Sequence, residues 1–255
     1  MDFFTDFKAI NKVVFKKSNE SYLKNLLLIP MFGLYMVVYV LLTLLLNMSV
    51  GQLGGGGAFL ASLITWFLSC YMISDFLSHL EGAIGGFKFK LKSIGKGYMS
   101  YFMPLLTATA IPRIIVYLFS VLTGIYVPFF WIIIFYLAYA TPEIVYQKNL
   151  DRLEMFAYGH RFLLENWQHW LAVNLVHGFI MIGFLKVTDV FIMKPFGDLL
   201  INLPALLAAA IYYLVLSFII GIPLLYYLIY RGYIFKILSV SSRRKREYMR
   251  NIYGK

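Results

Sequence analysis

Long runs of apolar residues alternate with short polar segments along the chain, and this pattern predicts membrane-spanning helices. About 20 consecutive apolar residues allow an α-helix to cross the hydrocarbon core of a bilayer. Runs of this kind predict six spans, near residues 26–47, 57–79, 100–122, 125–141, 170–188 and 205–230. The fourth run is short, and Thr141 with Pro142 either kinks it or begins a surface helix. The predicted fold class is all-α, a polytopic membrane protein of about six transmembrane helices with interfacial amphipathic helices.

Residues 141–170 are the one long interior segment in which charged and polar residues interrupt the apolar pattern. The apolar residues of this segment recur at intervals of three or four, which is typical of an amphipathic helix. These positions are Leu150, Leu153, Phe156, Ala157, His160, Leu163, Leu164, Trp167 and Trp170. Asp151 with Glu154 resembles a capping box, and Arg161 with Glu165 is an i,i+4 pair, so the sequence predicts a surface helix here.

Two further segments have patterns that suit the membrane interface. Near the amino terminus, one helix face carries apolar residues and another carries lysines, namely Phe3, Phe7, Ile10 and Val14 against Lys8, Lys12 and Lys16. This pattern predicts a helix that lies flat on an anionic leaflet, although the lysines alternatively serve only to set orientation. Residues 186–204 mix charged and bulky apolar residues and predict a helix at the outer interface, with a re-entrant segment as the alternative.

The composition supports a membrane protein and changes how the positive charge is interpreted. Hydrophobic residues make up 61% of the chain and charged residues 14%, whereas soluble domains have about 25% charged residues. The net charge of +11 would suggest nucleic acid in a soluble protein. Here the basic residues lie mostly on one predicted side of the membrane, so topology explains them and no nucleic-acid partner is expected. The single cysteine, Cys70, excludes an internal disulfide.

The positions of lysine and arginine predict that both termini are cytoplasmic. With the amino terminus inside, all but three of the 23 basic residues fall in inner segments, the exceptions being Arg113, Lys186 and Lys194. Positive residues are retained on the cytoplasmic side of membranes. We therefore interpret residues 1–255 as one membrane domain, with an interfacial helix at 1–25, cytoplasmic loops at 80–99 and 142–169, and a basic cytoplasmic tail at 231–255. The basic residues at 243–246 suit anionic lipid or an acidic partner, or act only as a topogenic stop.

The first inner loop has a repeating pattern of its own. Residues 85–97, GGFKFKLKSIGKG, alternate apolar residues and lysines with a period of two, which is typical of a strand. An isolated strand is marginally stable in water. An extended loop anchored by its lysines is therefore favoured, and a strand completed by a protein partner is the alternative.

Three ionisable residues within the predicted spans are candidates for function. Asp75 and His79 lie one turn apart at the inner end of the second span, where water and headgroups can satisfy them. Helix termination is therefore favoured there, and an intramembrane lipid enzyme that uses Asp75, His79 and Glu81 is a minor alternative. Arg113 lies beyond the midplane of the third span, about 20 Å from its inner end. Asp189 is its expected partner, and a role in a polar path is the alternative.

The sequence assigns no catalytic, cofactor-binding or metal-binding residue. It contains no paired-histidine metalloprotease motif, no glycine-rich phosphate loop and no serine elbow. His160, His169 and His177 do not share one helix face, so core or interfacial histidines are favoured over a metal site. We therefore do not expect an enzyme or a cofactor.

A proline and an acidic residue follow the fourth span, and a polar amphipathic helix then ends in asparagine and tryptophan. The residues of this pattern are Pro142, Glu143, Glu154, Phe156, Arg161, Phe162, Asn166, Trp167 and Trp170. The pattern resembles that of a bacterial six-helix membrane family, which includes the membrane domain attached to some glycerophosphodiester phosphodiesterases. The resemblance implies no catalytic residue, because this sequence lacks the fused enzyme domain. The six-span layout is also similar to the permease half of ABC-2 type exporters.

These patterns predict a transport component of the bacterial inner membrane, a permease-like subunit such as one half of an ABC-type exporter. Because the chain has no nucleotide site of its own, we expect Arg152, Glu154, Arg161 and Glu165 to dock a cytoplasmic ATPase or another protein subunit. The lipid bilayer is the other expected partner, and pairing with a second copy or another subunit is expected. The alternative is a non-catalytic scaffold, immunity or regulatory protein that uses the same surfaces.

Overall fold

The computed structural model describes residues 3–124, 137–148, 150 and 153–240, and within these ranges it contains helices and no strand. The α-helices there are α1 (Phe3–Lys24), α2 (Leu28–Ser49), α3 (Gly55–Ile84), α4 (Phe102–Thr123), α5 (Thr141–Lys148), α6 (Glu154–Thr188), α7 (Lys194–Leu200) and α8 (Ala205–Leu238). A π-helical turn, Asp189–Met193, joins α6 to α7. The predicted all-α fold class is confirmed for this part of the chain.

Five helical runs in the described ranges are long and apolar enough to cross a membrane. They are Leu28–Ser49, Gly55–Ile84, Phe102–Ser120, Glu154–Leu200 and Leu207–Leu238. These runs coincide with five predicted spans, whereas most of the fourth, 125–141, lies outside the described residues. Large apolar side chains such as Phe59, Ile115 and Phe179 are exposed on these helices. Such a surface suits lipid, so the chain is a multi-pass membrane protein. The count of six spans and the side of the termini stay predictions.

The predicted surface helix near 150–169 and the fifth span are one helix. α6 runs without interruption for 35 residues, which is about 50 Å at 1.5 Å per residue. No proline breaks this stretch, so the backbone hydrogen bonds continue from the amphipathic half into the apolar half. Because a hydrocarbon core is about 30 Å thick, part of α6 extends beyond the bilayer. The segment 186–204, predicted as an outer interfacial helix, is helical through Leu200, while its position at the interface stays a prediction.

α8 is the helix around which the others pack, and it contacts α1, α2, α3, α5 and α6. It extends to Leu238, beyond the predicted end of the sixth span near residue 230. Ile234, Phe235 and Leu238 continue its apolar spacing and are buried. Arg231, which the charge count placed in the basic tail, therefore lies inside a packed helix.

α1 packs against α8 and α3. Ile10, Val14 and Ser18 lie on its buried face, whereas Phe4 and Phe15 are exposed. The predicted helix is present, but much of its apolar face contacts protein. Phe4 and Phe15 are available for the predicted contact with a leaflet surface, which stays a prediction.

The loop between α3 and α4 is not a strand. α3 ends in a Schellman motif: Gly86 N donates to Ala83 O at 3.1 Å and Phe87 N donates to Gly82 O at 2.9 Å. Gly86 has a φ of +90°, which suits glycine. Beyond this turn, Phe89 points inward, and its backbone N donates to Asn25 Oδ1 at 2.7 Å. The favoured prediction of a loop is thus confirmed, and the alternation of lysines reflects surface exposure rather than strand pairing.

We expect Gly232→Ala to destabilise the protein, because α8 approaches α3 and α5 closely at this position. A Cβ on Gly232 would lie 2.0 Å from Ile84 Cδ1 and 2.7 Å from the Tyr146 hydroxyl oxygen. Both side chains are buried, so overpacking should cost about 1–3 kcal/mol, measured by thermal unfolding in detergent. Gly82→Ala is the matched control, since a Cβ there meets no atom within 4 Å, and it should unfold no earlier than the parent. Equal stability of the two variants would contradict the tight packing.

Candidate functional site

A buried group of polar side chains lies where α5, α6 and α8 meet. Arg231 on α8 and Glu143 on α5 are both almost fully buried. Arg231 Nε donates to Glu143 Oε1 at 2.7 Å, and Arg231 Nη2 donates to Glu143 Oε2 at 2.8 Å. This bidentate geometry is the strongest arrangement of an arginine–carboxylate pair. We call Glu143, Trp170, Asn174, Tyr227 and Arg231 the Arg231 cluster.

Every remaining donor of the Arg231 guanidinium also has an acceptor. Nη1 donates to Asn174 Oδ1 at 2.6 Å and to the Tyr227 hydroxyl at 2.9 Å, and Nη2 also donates to Leu137 O at 3.0 Å. With the two bonds to Glu143, all five N–H groups of an arginine have acceptors. The Trp170 ring lies 4.7 Å from the guanidinium carbon and covers it. Burial of a charge is tolerated when all its partners are in place, and it becomes strongly destabilising when one partner is removed.

Sequence reasoning did not identify the Arg231 cluster. Arg231 was counted among the topogenic residues of the tail, and Glu143 entered only through the family resemblance. Two local signals were available: Tyr227 and Arg231 are one turn apart on a helix, and Glu143 closely follows an apolar run. Neither signal shows that the two residues meet, because they are far apart in sequence.

A second polar group fixes the loop between α3 and α4. Asp75 is fully buried, and its carboxylate accepts hydrogen bonds from Gly95 N at 3.0 Å, from Gly97 N at 2.6 Å and from the Tyr35 hydroxyl. The neighbouring Ser74 hydroxyl donates to Gly97 O at 3.0 Å. We call Tyr35, Ser74, Asp75, Gly95 and Gly97 the Asp75 clasp. The sequence marked Asp75 as a candidate and predicted water and headgroups as its partners, whereas the structure gives it loop amides and a tyrosine.

His79 and Glu81 lie beside the Asp75 clasp. His79 Nε2 is 3.5 Å from Asp75 Oδ2, as expected for residues one turn apart, and its ring packs edge-on against Phe89. Glu81 accepts a hydrogen bond from the Tyr101 hydroxyl, and burial together with this bond raises the pKa of Tyr101. These contacts support a structural role for the group, because both oxygens of Asp75 and one oxygen of Glu81 already bind protein donors.

Arg113 lies on α4 against α3. Its guanidinium carbon is 5.3 Å from the centre of the Trp66 ring, a cation–π distance. Trp66 Nε1 in turn donates to Thr109 Oγ1 at 2.8 Å. Asp189 is the partner expected from the sequence, and its Oδ2 lies 3.7 Å from Lys194 Nζ. The pairing of Arg113 with Asp189 stays a prediction.

The predicted docking residues occupy an exposed side of α6. Glu154, Arg161 and Glu165 are exposed, whereas Arg152 lies outside the described residues. Leu164 and Trp167 are 66% and 53% exposed on the same helix, beside these charged residues. We call Glu154, Arg161, Leu164, Glu165 and Trp167 the α6 face.

The sequence predicted one apolar face on this segment, and the structure buries only part of that face. The buried stripe on α6 runs through Met155, Gly159, Phe162 and Trp170. It is narrower than predicted because α5 and α8 cover only one side of the helix.

The histidines occupy separate positions. His169 Nε2 is 3.2 Å from Asp6 Oδ2 and so links α6 to α1, whereas His160 is exposed. His177 Nδ1 lies 2.9 Å from Val173 O, and its ring stacks on Tyr227. Across the described ranges, no group of three His, Cys, Asp or Glu side chains is placed to hold a metal ion.

We expect Arg231→Met to destabilise the protein by about 3–5 kcal/mol, because it leaves the Glu143 carboxylate buried without its partner. The double variant Glu143→Met with Arg231→Met should be more stable than Arg231→Met alone, since it removes the orphaned charge as well. Thermal unfolding in detergent measures both. Arg161→Met removes an exposed arginine and should change stability by no more than about 0.5 kcal/mol. Additive losses in the double variant would contradict coupling between the two residues.

We expect Asp75→Ala to release the loop 85–101, because the Gly95 and Gly97 amides lose their shared acceptor. Trypsin can cleave after the lysines at 88, 90, 92 and 96, so limited proteolysis should proceed faster in this variant. Asp198→Ala, which removes an exposed carboxylate far along the chain, serves as the control. Unchanged cleavage in Asp75→Ala would show that the Asp75 clasp does not hold the loop.

No family model, no curated protein and no solved structure matches this chain. The resemblance to the bacterial six-helix membrane family stays an expectation that rests on residues 142–170.

Proposed function

We propose that this protein is the permease-like membrane subunit of a bacterial transport system and that it docks a cytoplasmic ATPase through the α6 face. The observation that carries the proposal is the extension of a membrane-crossing helix into an exposed surface that mixes charged and large apolar side chains. Interfaces combine an apolar, aromatic centre with a polar rim. Leu164 and Trp167 supply exposed apolar surface, and Glu154, Arg161 and Glu165 supply charged residues beside it.

The side of α6 opposite the α6 face is firmly held. Phe162 and Trp170 pack against Phe235 of α8, with ring centres 4.8 and 6.2 Å apart. One turn beyond Trp170, Asn174 binds Arg231. A partner that pushes on the α6 face would therefore act on α8 and α5 as well.

The continuity of α6 supports transport over a passive scaffold. The same helix carries the α6 face at one end and continues across the apolar region to Thr188, from which the π-helical turn leads into α7. A displacement at the docking end can therefore reach the far end of the helix without crossing a flexible joint. Helix shifts of this kind are a common means of coupling distant sites.

An ATPase fits as the partner because the chain cannot supply energy itself. The sequence contains no glycine-rich phosphate loop followed by lysine and serine or threonine. Transport driven by nucleotide hydrolysis would therefore need a separate nucleotide-hydrolysing subunit. The same logic favours assembly with a second copy or another membrane subunit, which would complete a path across the bilayer.

We expect the double variant Arg161→Glu with Glu165→Arg to lower recovery of the ATPase about tenfold or more when the protein is purified in mild detergent. This exchange keeps the net charge and the i,i+4 pair, so α6 itself should stay intact. Asp189→Lys with Lys194→Asp is the matched control, because it exchanges another charged pair at the far end of the helix. Quantitative mass spectrometry of co-purified proteins measures recovery.

Two results would contradict the proposal. Recovery of a partner that lacks a nucleotide-binding site would favour the scaffold or regulatory alternative. Equal losses in the two exchanged variants would show that the α6 face does not make the contact.

A further inference from the structure

A cavity of about 590 Å³ lies where the carboxyl-terminal ends of α1, α3 and α8 converge. Lys17, Lys24 and Lys236 stand at its rim and are exposed. Its floor is apolar and includes the buried Ala83 and Ile84. We call this space the lysine cavity. Its combination of a cationic rim and an apolar floor suits an anionic amphiphile.

Around the lysine cavity, positively charged side chains outnumber negatively charged ones. A neighbouring groove shares Glu20 and Lys24 with it and adds Lys88. The two spaces together thus present four lysines, at 17, 24, 88 and 236, and one glutamate. In the part of the chain that the structure describes, these lysines form no ion pair with a carboxylate. Their charge is therefore available to a ligand.

The end of α3 does not require these lysines. Helix carboxyl termini carry partial negative charge and attract cations. At α3, however, the Schellman motif satisfies the Gly82 and Ala83 carbonyls, and the Ser21 hydroxyl also donates to Ala83 O at 2.8 Å. These two carbonyls are thus already bonded by backbone and serine donors and do not need the lysines.

The surroundings place the lysine cavity at the level of lipid headgroups. Leu23 and Leu27 are exposed beside the groove, immediately before the apolar helix α2 begins at Leu28. Phe87, next to Gly86 on the cavity wall, is 73% exposed. Exposed apolar side chains next to lysines are typical of a surface that contacts both acyl chains and phosphates.

We propose that the lysine cavity binds the phosphate headgroup of an anionic phospholipid, with the lysines contacting the phosphate and the apolar floor contacting the glycerol and upper acyl chain. Lysines that serve only topology need to lie near the membrane but need no cavity between three helices. The proposal goes beyond docking of a partner protein, because it assigns a ligand to a different surface and does not depend on the α6 face. A soluble phosphate ester shares the headgroup chemistry and is separated from the lipid by the test.

Native mass spectrometry of the purified full chain tests the proposal, with phosphatidylglycerol and phosphatidylcholine of identical acyl chains as probes. We expect one molecule of phosphatidylglycerol to bind each chain saturably. Phosphatidylcholine should show no comparable binding. Lys17→Ala, Lys24→Ala and Lys236→Ala combined should weaken this binding about tenfold or more, since each lysine near an anionic headgroup contributes. Lys236→Glu alone, at an exposed position, should also weaken it, which guards against a folding defect in the triple variant.

The matched control is Lys8→Ala, Lys12→Ala and Lys16→Ala combined, which removes the same charge from exposed positions on α1 outside the cavity. This control variant should still bind one molecule of phosphatidylglycerol saturably. Equal weakening by the two triple variants would overturn the site, because general charge attraction would then explain the binding. Full competition by glycerol 3-phosphate, at an affinity equal to that of the lipid, would overturn the lipid as ligand and indicate a soluble phosphate ester.

Discussion

The fold depends on the need to neutralise an arginine buried among apolar helices. Arg231 lies on α8, the helix that most others contact, and moving its charge away from water is favourable only if its partners are in place. Those partners come from α5 and α6, so the ion pair with Glu143 and the bond to Asn174 fix three helices relative to one another. Trp170 closes the site over the guanidinium, and its own Nε1 donates to Ala138 O at 2.8 Å. Helices that contact only through apolar side chains could slide along one another. These bonds give α5, α6 and α8 a defined register.

A second buried charge that needs partners lies on α3. Asp75 binds backbone amides of the following loop and so holds this loop against the helix. The amides of Gly95 and Gly97 reach the carboxylate only because both residues lack a side chain. Gly95 has a φ of +82°, and a Cβ on Gly97 would lie 2.5 Å from Ser78 Cβ. The loop so fixed carries Phe89 inward against His79 and leaves the lysines of 85–97 at the surface. The Asp75 clasp and the Schellman motif together therefore fix the position of Gly85 and Gly86, which form one wall of the lysine cavity.

Sequence patterns identified the elements but not the contacts between polar residues. Five spans and α1 follow from apolar runs and from their spacing, because helix formation in lipid is a local property of the chain. The exposure of Arg161 and Glu165 also followed from local spacing. The role of Arg231 did not, since a basic residue near the end of a span is equally consistent with a loop until its acidic partner is known. The continuity of α6 was missed for a related reason: its polar half resembles a surface helix, and only packing by α5 and α8 shows that the two halves share one axis.

The polar anchors are concentrated at the end of the bundle that also carries the α6 face and the lysine cavity. The Arg231 cluster, the Asp75 clasp and the contact between Asp6 and His169 all lie there, and all are largely buried. At the opposite end, the structure describes an ion pair between Lys194 and Asp189 whose side chains are 69% and 57% exposed. An exposed pair of this kind contributes little to stability. Because contacts between apolar surfaces have no fixed direction, the helices can shift at that end at lower cost than at the anchored one. A displacement of α6 would therefore meet more resistance at the anchored end than at the end that carries Asp189 and Lys194, which is the asymmetry that the proposed docking of a partner at the α6 face would use.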